Sequence, residues 1–498
     1  MRTVNVQVEP HDSVLVQCHS RSGMFGGRAV SYRTRMDHSL LRHACTLANE
    51  FLASVDDRPV FPSVSFAELV HVLGGPLNDE GVEPGRVISE LAEHANGGLV
   101  ASPGPRYFGF VTGGSVPAAV AADWLTSAWD QNAGLHVLSP ASAAIEHVAA
   151  AWLLDVLGLP DSASVGFVTG ATMANTVAIA AARHEVLRRA GWDVEANGLQ
   201  GAPRVHVVAG AEAHASIRSA TRLLGLGAST ILYVEADDQG RMDTAGLARV
   251  LDGLTGPVIV CAQSGNVNTG AFDPLSEIVQ VAHGRGAWVH VDGAFGLWAA
   301  ASAARRHLVQ GAASADSWTV DGHKWLNVPY DSGFAIVAHP PAHRAAMSQT
   351  AAYLLRARDE ERDGMDWTPE ASRRARANAV YAALRSLGRR GLREMIDRCC
   401  ACAARLADRL RLEPGVDILN DVVLNQVLVR FRRSDGANIT PAVIAAVQQD
   451  RVCWVGGTEW RGEPAMRISV SGWKTTELDA DYAAESILRC CRTAALQG

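Results

Sequence analysis

Residues 256–292 read GPVIVCAQSGNVNTGAFDPLSEIVQVAHGRGAWVHVD, and this stretch decides the fold. An apolar run at 258–262 is followed by a segment with helical spacing at 275–283 and by a second apolar run at 287–292. Short apolar runs that alternate with helices predict parallel strands covered on both faces. The stretch therefore indicates a βαβ unit whose second strand ends in an acid, Asp292.

The same alternation extends outward from this unit. Further β-like runs lie at 165–168, 204–208 and 229–234, and helical patterns lie at 171–189, 215–224 and 244–254. The last hundred residues mix strands and helices, and the region before about residue 116 is helical after a leader at 1–36. We predict an α/β protein with a mostly parallel sheet. The expected units are a helical N-terminal segment (1–115), a large domain (116–390) and a small α+β domain (391–498).

Composition narrows the classes of function. The chain has 498 residues, and its charges are well mixed with a net charge of -7, which argues against a nucleic-acid partner. We find no apolar signal segment at the N-terminus and no run of eighteen uncharged apolar residues, so we expect neither secretion nor a membrane partner.

Cysteine usage gives a prediction of compartment. The chain has nine cysteines, an odd number at irregular spacing, and this pattern indicates reduced thiols and a cytoplasmic location. Cys399, Cys400 and Cys402 fall in a helical pattern without nearby His ligands, so we interpret them as packing residues and expect no metal.

Chemistry is suggested first by residues 321–325, DGHKW, where a lysine lies between apolar segments. The chain has only two lysines, Lys324 and Lys474. A lysine amine can condense with the aldehyde of pyridoxal 5′-phosphate (PLP), but most lysines are merely solvated. The motif alone is therefore weak.

Three upstream features strengthen this interpretation. Asp292 could keep a pyridine nitrogen protonated, or it could simply cap a helix. The turn Gly170-Ala171-Thr172, between a strand and a helix, could hold phosphate on backbone N–H groups. His214, which follows another strand, could stack on a ring. Each feature alone is weakly specific, and no nucleotide-binding glycine fingerprint is present.

In the order phosphate turn, His, Asp, Lys, the chain resembles the group II PLP-dependent decarboxylases, which include aromatic-amino-acid, glutamate and cysteine-sulfinate decarboxylases. The resemblance runs from about Tyr107 to the C-terminus. Matching motifs are Arg106 to Phe110, Ser139-Pro140 with Glu146, Asn268 to Pro274, Asp321 to Leu326 with Pro329-Tyr330, Ser372 to Arg374, and Arg467 to Val470.

The resemblance implies PLP fold type I, with a seven-stranded-type sheet, and a homodimer whose active sites lie at the subunit interface. It implies three catalytic residues: Lys324 as the Schiff-base lysine, Asp292 as the partner of the ring nitrogen and His214 as the stacking imidazole. Further cofactor contacts are implied for Gly170, Ala171, Thr172, Thr269, Ala294 and His323. Substrate contacts are implied for Phe108, Phe110 and Thr112.

Three departures from the family pattern stand out. Asp321 replaces an Asn that is common in aromatic-amino-acid decarboxylases, and it would repel phosphate unless it is paired. A gap-free alignment back from Trp367 places Gly364 in the slot of the loop tyrosine that reprotonates Cα, while Tyr353 lies near the start of that loop. Asn132 and Gly134 lie where aromatic-amino-acid decarboxylases place apolar or aromatic groups that hold the substrate, so this aromatic substrate clamp is expected to be weaker.

The expected reaction is decarboxylation of an L-amino acid to the amine and CO2. Two alternatives use the same scaffold: decarboxylative oxidative deamination to an aldehyde, and Cα–Cβ lyase chemistry. A non-catalytic homologue ranks lower, and an aminotransferase is disfavoured, with Arg467 interpreted as structural. The sequence does not identify the amino acid.

Overall fold

The computed structural model describes residues 38–349 and 361–496, and a seven-stranded sheet forms its centre. Strand β7 runs antiparallel to both of its neighbours and all other pairs are parallel, in the order β1-β7-β6-β5-β4-β2-β3. The α/β fold with a mostly parallel sheet is therefore confirmed. Strands β1 to β7 span Ser164–Val168, His206–Gly210, Leu232–Val234, Val258–Gln263, Trp288–Asp292, Ser317–Asp321 and Gly333–Val337.

The central strands are buried along their whole length, as their continuous apolar sequences predict. Every residue of β4, β5 and β6 is buried. Neighbouring parallel strands end at one edge of the sheet, so β5 and β6 carry Asp292 and Asp321 to the same edge, with Asp292 opposite Thr319, two residues before Asp321. In open α/β sheets this edge is where ligands bind.

Helices cover the sheet on both faces, and further helices precede it at the N-terminal end of the chain. Helices α1 to α3, which come before the sheet, form the N-terminal segment, and the residues of α2 and α3 are all at least partly exposed. Helices α1 to α11 span His38–Ser54, Phe66–Leu73, Pro84–Asn96, Pro117–Trp129, Pro140–Leu157, Ala171–Arg189, Val194–Asn197, Ala215–Leu223, Thr244–Asp252, Leu275–His283 and Pro340–Met347.

The C-terminal part begins with the long helix α12 (Ala377–Arg411), which is interrupted at Gly388, where φ is 60°. The expected boundary at residue 390 falls inside this helix. Beyond it an antiparallel sheet has the order β10-β11-β9-β8, with helices α13 and α14 beside it. These elements span Val416–Ile418 (β8), Gln426–Phe431 (β9), Gly456–Trp460 (β10), Glu463–Ser469 (β11), Thr440–Asp450 (α13) and Glu477–Leu496 (α14).

The cysteine cluster lies on α12 and packs into the hydrophobic core. Cys399, Cys400 and Cys402 are buried and free. Burial raises the pKa of Cys399 to about 12, so its thiol stays protonated. No group of His, Cys, Asp and Glu side chains that could hold a metal ion occurs in residues 38–349 and 361–496.

Within the described part of the chain, one helix, α5, is long and apolar enough to cross a membrane by length and composition alone. It carries Glu146, which is buried and lies 2.6 Å from the Nη2 atom of Arg373. The same helix buries Leu153 and Leu154 in the core. These contacts are typical of a core helix.

Candidate active site

The turn after β6 brings Lys324 to the start of α6. The Lys324 Nζ atom lies 2.9 Å from Asp321 Oδ2. The other oxygen of Asp321 accepts a hydrogen bond of 2.6 Å from the backbone N–H of Ala171. Asp321 is thus paired, as the sequence argument required of an acid in this place.

Asp292 is a buried carboxylate at the end of β5. It accepts hydrogen bonds from Asn175 Nδ2 (3.0 Å), Ser216 Oγ (3.2 Å) and the N–H of Ala294 (3.2 Å). All three donors are neutral, and no Lys, Arg or His among the described residues forms an ion pair with Asp292. Because a buried charge is costly unless it is paired, this site fits a cationic ring nitrogen.

His214 caps the N-terminus of α8 and faces the same carboxylate through a serine. Its Nδ1 atom lies 2.7 Å from Ser216 Oγ and accepts from the Ser216 N–H. Burial lowers the pKa of His214, although the charge of Asp292 opposes the shift. The imidazole is therefore neutral near pH 7, as a ring that stacks on a cationic pyridine should be.

The predicted phosphate turn is tightly packed against His323. A Cβ atom on Gly170 would lie only 2.9 Å from His323 Cε1, so a larger residue there would have to displace the His323 ring. The His323 ring stacks on Tyr330 with its centroid 4.4 Å away. Thr172 lies exposed on the first turn of α6. The structure thus brings the turn, His323 and Lys324 together.

Thr269 and Ala294 make hydrogen bonds in different parts of the site. The Thr269 hydroxyl donates to the Gln239 carbonyl at 2.6 Å and so supports the loop after β4. Ala294 bonds to Asp292, and its carbonyl accepts from the N–H of Asp321 at 2.8 Å. Ala294 therefore links the two strand ends that carry the acids.

The three expected substrate contacts differ in exposure. Phe108 is only 1% exposed and packs in the core, which favours a structural role, whereas Phe110 is 66% exposed and stacks on Trp454 at 5.5 Å. Thr112 is buried next to Gly113, where an added Cβ would lie 1.8 Å from the Lys324 carbonyl oxygen. The segment therefore packs directly on the Lys324 backbone.

The placement of Gly364 in a mobile catalytic loop is wrong. Gly364 is buried in a 3-10 turn, and a Cβ atom there would lie 2.2 Å from Arg373 Nη1 and 2.4 Å from the Ala133 oxygen. Position 364 therefore has a structural role, and it has no room for the side chain of a catalytic tyrosine. Tyr353 lies outside the described residues.

Asn132 and Gly134 are likewise explained by local packing. The Asn132 Oδ1 atom accepts from the N–H groups of Gly134 and Arg373 at 3.0 and 3.2 Å. A Cβ atom on Gly134 would lie 1.9 Å from the Ala371 oxygen. Backbone contact within this chain accounts for both residue types without reference to a thinned substrate clamp.

Arg467 on β11, which the sequence led us to interpret as structural, lies near the candidate site. It is partly buried, and its Nε atom has no hydrogen-bond partner within the described part of the chain. Its positive charge contributes to lowering the pKa of His214, so the guanidinium lies close to the site. In the sequence it belongs to a matching motif, but only the three-dimensional surroundings show that its Nε atom has no partner among the described residues.

Comparison with known proteins decides the family. Residues 79–433 match the family described as the pyridoxal-dependent decarboxylase conserved domain. The chain belongs to this family. It is 28% identical over 360 residues to acidic amino acid decarboxylase GADL1 of Bos taurus, covering 71% of this chain and 68% of the relative. It is 25% identical to aromatic-L-amino-acid decarboxylase of Bacillus atrophaeus, covering 87% and 91%.

The fold comparison agrees with the family assignment. The crystal structure of Oryza sativa TDC with PLP and tryptamine superimposes with a TM-score of 0.85 at 24% identity, covering 91% of this chain and 97% of that one. The expected fold type I is confirmed. The protein is therefore a PLP-dependent amino-acid decarboxylase, and the cofactor and reaction class inferred from the sequence are confirmed.

Proposed function

We propose that this decarboxylase removes the α-carboxylate of an L-amino acid and releases the corresponding amine, with Lys324 holding the cofactor and Asp292 facing its ring nitrogen. One observation carries the proposal: Asp292 is buried among neutral donors, one strand away from the turn of Lys324. When bound, PLP supplies a protonated ring that accepts the electrons left by departing CO2.

The surrounding residues bind and orient. The N–H groups of the first turn of α6 after Ala171, whose own N–H donates to Asp321, are suited to hold the phosphate, because a helix N-terminus favours an anion. Gly170 and His323 pack closely beside this turn. His214 is uncharged, so it can lie on a cationic ring without repulsion. Ser216 keeps its imidazole in place.

Arg467 anchors the substrate carboxylate in this proposal, which revises its interpretation as structural. A guanidinium near His214 that forms no ion pair with a carboxylate in residues 38–349 and 361–496 is suited to bind an anion. We expect Arg467→Met to raise KM by roughly tenfold or more, the worth of one charged hydrogen bond, and Arg467→Lys to recover part of the loss. An unchanged KM in Arg467→Met would exclude this role.

Product analysis tests the reaction. One incubation, scored for CO2, amine, aldehyde and peroxide, separates decarboxylation from oxidative deamination and from Cα–Cβ lyase chemistry. We expect CO2 and amine in equal amounts, and Asp292→Asn should retain cofactor while kcat falls sharply. Aldehyde with peroxide, or an Asp292→Asn variant with parental kcat, would contradict the proposal.

The names of the relatives describe two classes of amino-acid substrate. One relative is named for acidic amino acids and another for aromatic ones. A screen of the twenty amino acids with dihydroxyphenylalanine, diaminobutyrate and cysteine sulfinate, scored for CO2, identifies the substrate directly.

We also propose a homodimer in the cytoplasm. Helix α2 leaves apolar side chains exposed, including Phe66 (83%), and Leu77 just beyond it is fully exposed. Surfaces of this kind mark sites of association, and a second copy of the chain is the occupant that the family resemblance implies. The free, mostly buried thiols suit a reducing compartment. Cell fractionation tests the location.

A further inference from the structure

A line of polar side chains runs behind Asp292 into the core. Asn175 Nδ2 lies 3.0 Å from Asp292 Oδ2, and His290 Nε2 lies 2.8 Å from Asn175 Oδ1. On the far side of the ring, His290 Nδ1 lies 2.9 Å from Ser317 Oγ, which is also 2.9 Å from Trp288 Nε1. Asn175, His290, Ser317 and Trp288 have no solvent exposure. Water therefore cannot replace any bond in this line.

The direction of every hydrogen bond in the line follows from the charge on Asp292. A carboxylate only accepts, so the Asn175 nitrogen faces it and the Asn175 oxygen faces His290. That oxygen only accepts, so His290 Nε2 carries the hydrogen. Burial lowers the pKa of His290 to about 4, so the ring is neutral and its Nδ1 accepts from the Ser317 hydroxyl. Trp288 can only donate, and it donates to Ser317.

We propose that Asn175 and His290 are positioning residues that hold the Asp292 carboxylate aimed at the ring nitrogen of the cofactor. Asn175 donates to Oδ2 of Asp292, and such a donor stabilises a carboxylate more than the neutral acid. Because His290 donates to the Asn175 oxygen, the amide cannot turn its nitrogen away from Asp292 without leaving a buried donor unpaired. This inference rests on the proposed role of Asp292.

The titratable groups on β4 and α8 that face Asp292 carry no charge of their own, and the charged residues at the end of β6, Asp321 and Lys324, pair with each other. Cys261 on β4 is buried, which raises its pKa to about 12 and keeps the thiol protonated. His214 at the start of α8 has its pKa lowered by burial, and Ser216 on that helix is a neutral donor. Because no Lys, Arg or His among the described residues forms an ion pair with Asp292, neutral donors support the carboxylate, and the Asn175–His290 pair provides one of its three hydrogen bonds.

The experiment reads the ring nitrogen directly. The parent protein and the variants Asn175→Leu, His290→Leu and His290→Gln are loaded with PLP labelled with nitrogen-15 in the ring, and its NMR shift is followed against pH. We expect the protonation midpoint to fall by about one pH unit, a tenfold change, in both Leu variants. His290→Gln keeps a donor toward Asn175 and should stay near the parent. In the Leu variants kcat should fall while KM changes little.

His343→Leu is the matched control. This imidazole is equally buried, on α11, but it bonds to Ser164 and the Trp367 carbonyl and has no link to Asp292. The His343→Leu variant should be less stable than the parent protein, but the protonation midpoint of the ring nitrogen should not change. Ser317→Ala, a smaller change, tests the line if the Leu variants do not fold, and it should shift the midpoint in the same direction.

The outcomes separate the inference from the function it rests on. A parental midpoint in Asn175→Leu and His290→Leu, or in Ser317→Ala where those variants do not fold, would overturn the positioning role alone. A parent protein whose ring nitrogen is unprotonated, or unaffected by Asp292→Asn, would overturn the role of Asp292 itself.

Discussion

At the scale of single residues, the scarcity of lysine makes the cofactor linkage easy to test. Lys324 and Lys474 are the only lysines in the chain, and Lys474 forms a surface ion pair with Asp56 at 2.8 Å. We expect borohydride reduction of the loaded protein to fix pyridoxal phosphate to Lys324 and not to Lys474, because only Lys324 lies beside the phosphate turn. Peptide mapping by mass spectrometry measures this.

Two substitutions complete that test. Lys324→Ala should lose both the modified peptide and turnover, whereas Lys474→Ala should keep both. A label on Lys474, or full activity in Lys324→Ala, would contradict the assignment.

Buried ionisable residues set a pH dependence of stability. Burial lowers the pKa of His290 to about 4 and of His343 to about 3, so both rings stay neutral in the fold but are protonated in the unfolded chain below about pH 6.5. Unfolding then takes up protons, and the free energy of unfolding falls as pH drops from about 6.5 toward 4.

Asp273 acts in the opposite sense, because burial raises its pKa to about 6 and its stabilising effect is lost above that pH. From these three groups, two imidazoles against one carboxyl leave one net proton, or roughly 1.4 kcal/mol per pH unit. His214 and His323, whose pKa burial also lowers, add to the slope in the same direction. Urea unfolding between about pH 5 and pH 6 measures this slope. His343→Leu should reduce it, and an equal slope in that variant would contradict the argument.

Residues differ in how far the sequence reveals them. Lys324 and Asp292 could be predicted because each sits in a short motif after an apolar strand. The roles of Arg467 and Asn175 could not be predicted, because they depend on the surrounding partners. Arg467 Nε has no hydrogen-bond partner in the part of the chain that the structure describes, and Asn175 contacts a buried imidazole. Neither fact has a local sequence signal.

At the scale of elements, the turn at Gly364 shows why packing, rather than loop chemistry, selects this glycine. We expect Gly364→Ala to destabilise the protein by about 1–3 kcal/mol, because its Cβ would overlap Arg373 and the Ala133 oxygen. Gly391→Ala in α12 is the matched control. Its nearest neighbour would be Leu387 at 3.5 Å, and a helix interior favours alanine, so stability should hold or rise. Thermal unfolding compares the two.

If Gly364→Ala were as stable as the parent protein, packing would not explain this glycine.

Secondary-structure elements also differ in how far local sequence predicts them. The strands β4 and β5 were predictable from continuous apolar runs, whereas the antiparallel direction of β7 between β1 and β6 was not, because strand direction depends on pairing across the sheet. The gap-free alignment failed for a related reason: a loop's length cannot be deduced from the helix that follows it.

At the scale of the whole molecule, the exposed face of α2 leads to a prediction about assembly. Phe66 and Leu73 are 83% and 49% exposed, and covering each on association would contribute roughly 1.5–3 kcal/mol when complete. We therefore expect the double variant Phe66→Glu/Leu73→Glu to weaken the dimer by at least about tenfold, since charged side chains on an apolar interface lose solvent without gaining a partner. Light scattering across a dilution series measures the mass.

Leu412→Glu, at an 84% exposed position after α12, is the matched control and should stay dimeric. Circular dichroism should be unchanged in both variants, because the substituted side chains do not contribute to the core of one subunit. If active sites are completed at the interface, activity should fall in parallel with dimer mass in the double variant alone. A parent protein that is monomeric at all concentrations, or a monomeric variant with full activity, would show that the face of α2 has another purpose and that each chain carries a complete site.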